Sequence, residues 1–253
     1  MAWSRRYEDA DPQRVNRWLA QSGVCSRREA DDLIARGLVS IDGAVVTEAG
    51  RKIAAGETLT LSDAADADLA AAVTVLLHKP EGVVSANPEP GQVQAAELLL
   101  PAAVAGEAPA LPARLSPVGR LDRDSRGLLL LSSDGVVAKA VIGPESTLDK
   151  EYRVRVVGEI TPGRLERLRF GLSLDGRRLK RAEVEPIGRQ RLRFVLREGR
   201  NRQIRRMCEL VGLEVTDLLR TRVGPLRLGE LAEGRWRVLT PEERAALISG
   251  AAA

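Results

Sequence analysis

Apolar positions along the chain recur at two periods, and the changes of period mark the elements. In residues 12–61, Arg14–Gln21 reads as a short amphipathic helix, and Ala30, Leu33 and Ile34 fall at i, i+3 and i+4 on one face of a second. Ser26-Arg27-Arg28-Glu29, just ahead of that face, is a capping box: the Ser26 hydroxyl takes an orphan backbone N–H and Glu29 reaches back. Gly37 suits the helix end. Leu38–Ile41 and Ala44–Val46 then flank Asp42-Gly43, a pair that tolerates the positive φ angles of a tight hairpin turn.

Residues 62–72 (SDAADADLAAA) show little pattern and read as a linker. Residues 73–248 hold the remaining periodicity. Val73–Leu77 reads as a strand, followed by the loop His78-Lys79-Pro80-Glu81-Gly82. Residues 86–117 are rich in Pro, Ala and Gly, with one short helix at Val93–Leu100. Leu128–Leu131 is a buried strand, and Val136–Ile142 a short helix capped by Ser133 or Asp134. Tyr152–Val157 and Leu192–Leu196 read as strands; Thr161–Phe170 and Arg202–Val211 read as helices. This irregular alternation predicts an α+β fold with a mixed or antiparallel sheet.

At 253 residues and 44% hydrophobic composition the chain can bury a core without disulfides. No apolar run is long enough to span a bilayer, and the first eleven residues lack the apolar stretch of an export signal. Two cysteines, Cys25 and Cys208, and one histidine, His78, offer no metal-ligand spacing. There is no Gly-rich phosphate loop either, so neither a metal nor an organic cofactor is expected, and a reduced cytoplasmic setting is the simplest reading. The net charge is only +4, but the base content is almost all arginine, 34 Arg to 5 Lys. Five of the ten residues in Arg197–Arg206 are Arg, which points to phosphate binding as well as to a solvated face. With 3% aromatics, extensive base stacking is not expected.

Two places carry candidate chemistry. Arg27 and Arg28 lie on the first turn of their helix, off its apolar face, where guanidinium groups and a helix N-terminus can meet a phosphate together. They suit ordinary solvated arginines equally well. The densest polar knot is Gly119-Arg120-Leu121-Asp122-Arg123-Asp124-Ser125-Arg126-Gly127, mounted on the buried Leu128–Leu131 strand. Surrounding arginines would keep an aspartate ionised, and an ionised carboxylate is a nucleophile or a base. By residue type alone the knot also fits a structural turn with local ion pairs.

Resemblance sharpens both. The segments VNRWLA (15–20), SGVCSRREAD (22–31) and GLVSIDG (37–43) resemble an S4 domain, a small RNA-binding module. The GRLD segment at 119–131 is similar to the signature of the RsuA/RluB/RluE/RluF family of pseudouridine synthases. His78–Gly82 matches the NKPxG motif with His for the usual Asn, Lys150-Glu151-Tyr152 matches KxY, Glu198–Met207 matches the late Arg-rich motif, and Leu218–Gly224 matches the segment after it. The resemblance implies an S4 domain at 12–61, a linker at 62–72 and a synthase domain at 73–248 with a mixed, mainly antiparallel sheet and flanking helices.

It further implies isomerisation of uridine to pseudouridine in RNA. By position, Asp122 is the catalytic aspartate, Tyr152 packs on the target base, and Arg205 pairs with Asp122. Asp124 is expected to be a loop carboxylate that orders Arg120 or Arg126, and His78 to be structural. The expected RNA contacts are Arg14, Arg17, Arg27 and Arg28 in the first domain, and Lys79, Arg120, Arg200, Asn201, Arg202 and Arg206 in the second. The segments SGVCSRREAD and Met207-Cys208-Glu209 look closest to the RluB and RluF branches, which act on 23S ribosomal RNA of the large subunit. A bacterial, monomeric enzyme acting on ribosomal RNA or pre-ribosomal particles is therefore expected. The RsuA branch acts on 16S RNA, and transfer RNA is a second substrate for RluF-like enzymes. A non-catalytic assembly factor would not need the GRLD segment. A base-releasing hydrolase would need Asp122 and Asp124 at a defined separation.

Overall fold

The structure, a computed structural model, describes residues 3–48, 50–107, 109–112 and 115–250. The chain forms two compact units. One is built on the residues up to 74 together with 111–112 and 132–139, and the other on 75–110, 115–131 and the residues from 140 onward.

The first unit runs β1 (Ser4–Arg6), β2 (Gln13–Arg14), α1 (Val15–Gln21), α2 (Arg27–Ala35), β3 (Val39–Ile41), β4 (Ala44–Val45), β5 (Lys52–Ile53), β6 (Thr58–Leu61) and α3 (Asp63–Ala70). β1, β6, β3 and β4 make one antiparallel sheet, and β2 pairs with β5. The core gathers Tyr7, Val15, Leu19, Leu33, Ile34 and Leu59 around Trp18. Trp3 and Tyr7 meet the Trp18 ring edge-on at 5.8 and 5.4 Å, the arrangement the ring quadrupole favours. The capping box of α2 is complete: the Glu29 N–H donates to the Ser26 hydroxyl at 3.2 Å, and the Ser26 N–H donates to the Glu29 carboxylate. The other Glu29 oxygen accepts the Gly135 N–H at 2.9 Å. Asp42 and Gly43 turn the β3–β4 hairpin with φ of 48° and 82°. The stretch at 62–72 contains a helix, α3, rather than irregular chain. Ser62 caps it by accepting the Ala65 N–H, and Ala65 is its one buried side chain, so alanine propensity forms it without an apolar stripe.

The remaining elements are β7 (Thr74–Lys79), β8 (Ser116–Val118), β9 (Arg126–Ser132), α4 (Gly135–Ile142), β10 (Lys150–Val157), α5 (Pro162–Arg169), β11 (Ser173–Leu174), β12 (Arg177–Arg178), β13 (Glu183–Gly188), β14 (Arg191–Leu196), α6 (Gln203–Leu210), β15 (Glu214–Val223), β16 (Leu226–Arg227), β17 (Trp236–Val238) and α7 (Pro241–Ser249). Among the described residues the main sheet has the order β13-β14-β10-β15-β9-β7-β17, with β16 beside β15 and β8 beside β9. β9 and β15 are parallel, while the ladders of β10 with β14 and β15 are antiparallel, so the sheet is mixed as expected. Val154, Val156, Leu192 and Phe194 on one face of the sheet share a core with Leu168 of α5 and with Ile204, Met207 and Cys208 of α6.

The parallel contact is short: Leu219 lies opposite Arg126 and Arg220 opposite Gly127. Gly127 has φ of 112°, and a Cβ there would lie 2.3 Å from the Arg220 carbonyl oxygen and 2.6 Å from its nitrogen. Only glycine lets the two backbones approach this closely. Gly127→Ala is therefore expected to lower unfolding free energy by roughly 3 kcal/mol or more, the sum of overpacking and backbone strain. Urea denaturation followed by circular dichroism measures it.

Candidate active site

The loop between β8 and β9 is fastened at nearly every residue. Ser85, itself buried, donates its hydroxyl to the Leu121 carbonyl at 2.7 Å and accepts the Leu121 N–H at 2.9 Å. The Gly82 N–H donates to the Arg123 carbonyl at 2.8 Å, and Arg123 Nε donates back to the Gly82 carbonyl at 3.2 Å. The Ser125 N–H closes the turn onto the Asp122 carbonyl at 3.1 Å. Arg220, only 4% exposed, donates from Nε to the Leu128 carbonyl at 2.7 Å and from Nη1 to the Arg120 carbonyl at 3.3 Å. It thus spans both ends of the loop. Arg126 forks onto Asp217 with two bonds of 2.8 Å.

One side chain in this framework is left open. Asp122 is half-buried, and its carboxylate takes no hydrogen bond or ion pair from any described residue. Lys79 and Arg202 both feel its charge without touching it. Asp124 is the opposite case. Its two oxygens accept Arg202 Nη1 and Nη2 at 3.1 and 2.9 Å, and Arg205 Nε lies 3.2 Å from Oδ2. Arg205 Nη2 donates to the Asp124 carbonyl and Nη1 to the Val215 carbonyl at 3.0 Å. Burial pushes the Asp124 carboxyl up, but the Arg202 hydrogen bonds and the Arg205 and Arg202 charges together hold it below its ordinary value. Tyr152 lies half-buried on β10 between Phe194 and Arg220, against the core under α6, and a register shift in the β10–β15 ladder falls beside it.

Several expected roles change. Arg205 pairs with Asp124, not Asp122, because its guanidinium is spread between the Asp124 carbonyl, the Asp124 carboxylate and Val215. Asp124 orders Arg202 and Arg205 rather than Arg120 or Arg126. Lys79, expected at the RNA surface, is fully buried, and Nζ donates to the Pro80 and Val83 carbonyls at 2.7 Å. Arg200 folds back as a staple, reaching the Leu174, Arg177 and Arg178 carbonyls at 3.1, 3.0 and 2.8 Å and holding the β11–β12 hairpin. Arg206 is forked on Asp175 of the same hairpin at 2.9 and 2.6 Å. Arg120 and Asn201 are exposed beside the site. Arg14, Arg17, Arg27 and Arg28 are exposed in the first unit.

His78 lies one residue before the end of β7, where Nδ1 donates to the Leu231 carbonyl at 2.7 Å and Nε2 is buried without a partner among the described residues. Both cysteines are buried, and burial pushes their thiols up to about 12, which removes them as nucleophiles near neutral pH. Among the described residues no group of His, Cys, Asp and Glu is arranged to hold a metal ion, and no helix is long and apolar enough to cross a membrane. Sequence reasoning passed over Ser85 and Arg220. Ser85 sits in a segment without periodicity. Arg220 had a readable signal: it shares the inward register of β15 with Leu218, an unusual place for a guanidinium.

Comparison with known proteins follows the same division of the chain. Residues 73–210 match the model for RNA pseudouridylate synthase, and residues 13–59 match the S4 domain. The chain is similar to ribosomal large subunit pseudouridine synthase B of Bacillus subtilis, 34% identical over 238 residues, covering 91% of this chain and 93% of that protein. It is similar to dual-specificity RNA pseudouridine synthase RluF of Escherichia coli K12, 32% identical over 237 residues, covering 91% and 76%. A crystal structure of a pseudouridylate synthase has the same fold, with a TM-score of 0.64 over 92% of this chain and 99% of that one at 24% identity.

The buried Lys79 gives a signature in pH. Burial pushes its ammonium down to about 8; the Asp124, Asp122 and Glu81 charges oppose this, and Arg220 adds to it. The unfolded chain keeps the proton to about 10.4, so between these values it binds more protons than the folded chain, and stability from this group rises with pH. Relative to Lys79→Met, the native protein should gain on the order of 3 kcal/mol between pH 8 and 10.5. Denaturant titrations of both proteins across that window measure the difference.

Proposed function

The chain belongs to the RNA pseudouridylate synthase family, and we propose that it isomerises a uridine of large-subunit ribosomal RNA, with Asp122 as the reacting carboxylate. The observation that carries the assignment of Asp122 is its isolation. Leu121, Arg123, Asp124 and Ser125 around it are bonded to the scaffold, while its own carboxylate has no partner among the described residues. RluB and RluF relatives, named for large-subunit ribosomal RNA and for dual-specificity RNA, support the choice of substrate.

The chemistry is atom-balanced without a co-substrate, because uridine and pseudouridine are isomers. The N1–C1′ bond breaks with its electron pair passing to the uracil, the ring turns, and C5 bonds to C1′. The C5 proton is lost to solvent and N1 gains one. Asp122, as an anion, attacks C1′ or removes a ribose proton, and is regenerated when the new bond forms. A stacked base must leave the helix to reach it, and Tyr152, the aromatic at the ladder irregularity on β10, packs against the flipped base. Arg205 acts as a positioning residue: it holds the loop through the Asp124 backbone and carboxylate and thereby sets where Asp122 stands. Arg202, Arg120 and Asn201 supply the rim that meets RNA phosphates, and Arg14, Arg17, Arg27 and Arg28 supply affinity from the S4 domain.

In a tritium-release assay on C5-labelled ribosomal RNA, Asp122→Asn should lower the rate by more than about a thousandfold, since an amide is neither nucleophile nor base here. Filter binding should show RNA affinity unchanged or raised, because a negative charge near phosphates is gone. Asp124→Asn should retain measurable turnover. Full turnover by Asp122→Asn would refute the assignment. Converting Arg14, Arg17, Arg27 and Arg28 to Gln should reduce the salt dependence of RNA binding by about 3 in log–log slope, with turnover at saturating RNA preserved.

A further inference from the structure

The sheet face that Tyr152 turns away from carries a charge arrangement the reaction does not use. Side chains alternate along β10, so Tyr152, Val154 and Val156 face the core under α5 and α6, while Arg153 and Arg155 face the other way. Arg153 stands directly opposite Arg193 on β14, and Arg155 directly opposite Arg191. Two consecutive like-charge pairs on one face of an antiparallel ladder repel each other and weaken the pairing.

The neighbouring charges on this face are balanced. Arg126 is forked on Asp217, and Arg222 on Asp149. Arg193 is met by Glu151 at 3.0 Å and Glu185 at 3.2 Å. Arg153, Arg155 and Arg191 are exposed, and their guanidinium groups make no hydrogen bond or ion pair with any described residue. With Arg193, Arg227 and the ion-paired carboxylates Glu151 and Asp217 they line an open groove of about 720 Å³. No aromatic side chain lines it.

We propose that this groove is a second RNA-binding surface that takes the phosphodiester backbone of a segment of the substrate RNA remote from the target uridine. The inference rests on the reading that the substrate is a large folded RNA, which has segments to spare beyond the one in the active site. The guanidinium fork matches phosphate oxygens, and the three unpaired guanidinium groups of Arg153, Arg155 and Arg191 offer that fork without first breaking an internal ion pair. With no aromatic platform for bases in the lining, the contact is proposed to be chiefly to the backbone. The repulsion built into the ladder is relieved when phosphate enters.

The test is the full-length chain with Arg153→Gln, Arg155→Gln and Arg191→Gln combined, none of which belongs to the catalytic loop. Binding to a large-subunit ribosomal RNA transcript is measured by filter binding across a series of KCl concentrations. The Kd near physiological salt should rise about tenfold or more, and the log–log salt slope should fall by about 2 to 3. Turnover at saturating RNA should be unchanged, and the melting temperature should hold or rise because like-charge repulsion is removed. The corresponding triple Lys variant should keep most of the slope. An unchanged Kd and slope in the Gln variant would overturn the proposal, as would an equal loss in the Lys variant, which would show that shape and not charge is at work. A loss of slope in a protein that forms no pseudouridine in that RNA would refute the substrate reading and leave the surface standing. Normal pseudouridine formation with an unchanged slope would do the reverse.

Discussion

The second unit depends on one close approach, where the backbone of Gly127 passes Arg220 across the short parallel contact of β9 and β15. The crossing places the Arg220 guanidinium inside the protein, where it needs acceptors on all sides. The carbonyls of Arg120 and Leu128 supply them, one from each end of the GRLD loop. A buried cation is costly unless its donors are satisfied, so the loop cannot relax without exposing that cost. Ser85, Gly82 and Arg205 then fix the residues between. The outcome is a well-fastened frame around the Asp122 carboxylate, which has no partner among the described residues and which the proposed function takes as the reacting group.

Arginine does two kinds of work in this chain, and burial and pairing separate them. Arg200, Arg205, Arg206 and Arg220 are structural ties, each bonded to carbonyls or carboxylates that it holds in place. Arg120 beside the site, the arginines on the outward faces of α1 and α2, and those on the back of the β10–β14 ladder are exposed. These exposed groups are the ones free to meet phosphate in the proposed RNA complex. The late motif at 198–207, by contrast, is largely spent on holding the fold together.

Local signals in the sequence located most elements. The Ser26–Glu29 box, the Asp42-Gly43 turn and the apolar face of the helix at 203–210 are set by chemistry within a few residues, and all three are observed. Asp134 caps α4 by accepting the N–H groups of Val136 and Val137. The helix at 63–70 escaped notice because alanine gives it propensity and Ser62 a cap, but no apolar stripe marks it. The ten-residue strand Glu214–Val223 was legible only as a motif, since arginines at inward and lateral positions break its alternation. The roles proposed for Asp122 and Tyr152 rest on the resemblance, not on a local signal. The partner of Arg205 was not legible, because Asp122 and Asp124 are two residues apart and only the folded turn, closed by Ser125, decides which carboxylate faces α6. The burial of Lys79 was likewise hidden, since a lysine beside Pro80 at a strand end looks exposed until the Val83 carbonyl is seen above it.

The central claim is that the free carboxylate of Asp122 makes pseudouridine in large-subunit ribosomal RNA. Nucleotide-resolution pseudouridine mapping of ribosomal RNA from cells without this gene, complemented by either the native chain or Asp122→Asn, tests it most directly. The expected result is one large-subunit position that is uridine without the gene, becomes pseudouridine with the native chain and stays uridine with Asp122→Asn. A full set of large-subunit pseudouridines in cells without the gene, or restoration of the missing one by Asp122→Asn, would contradict it.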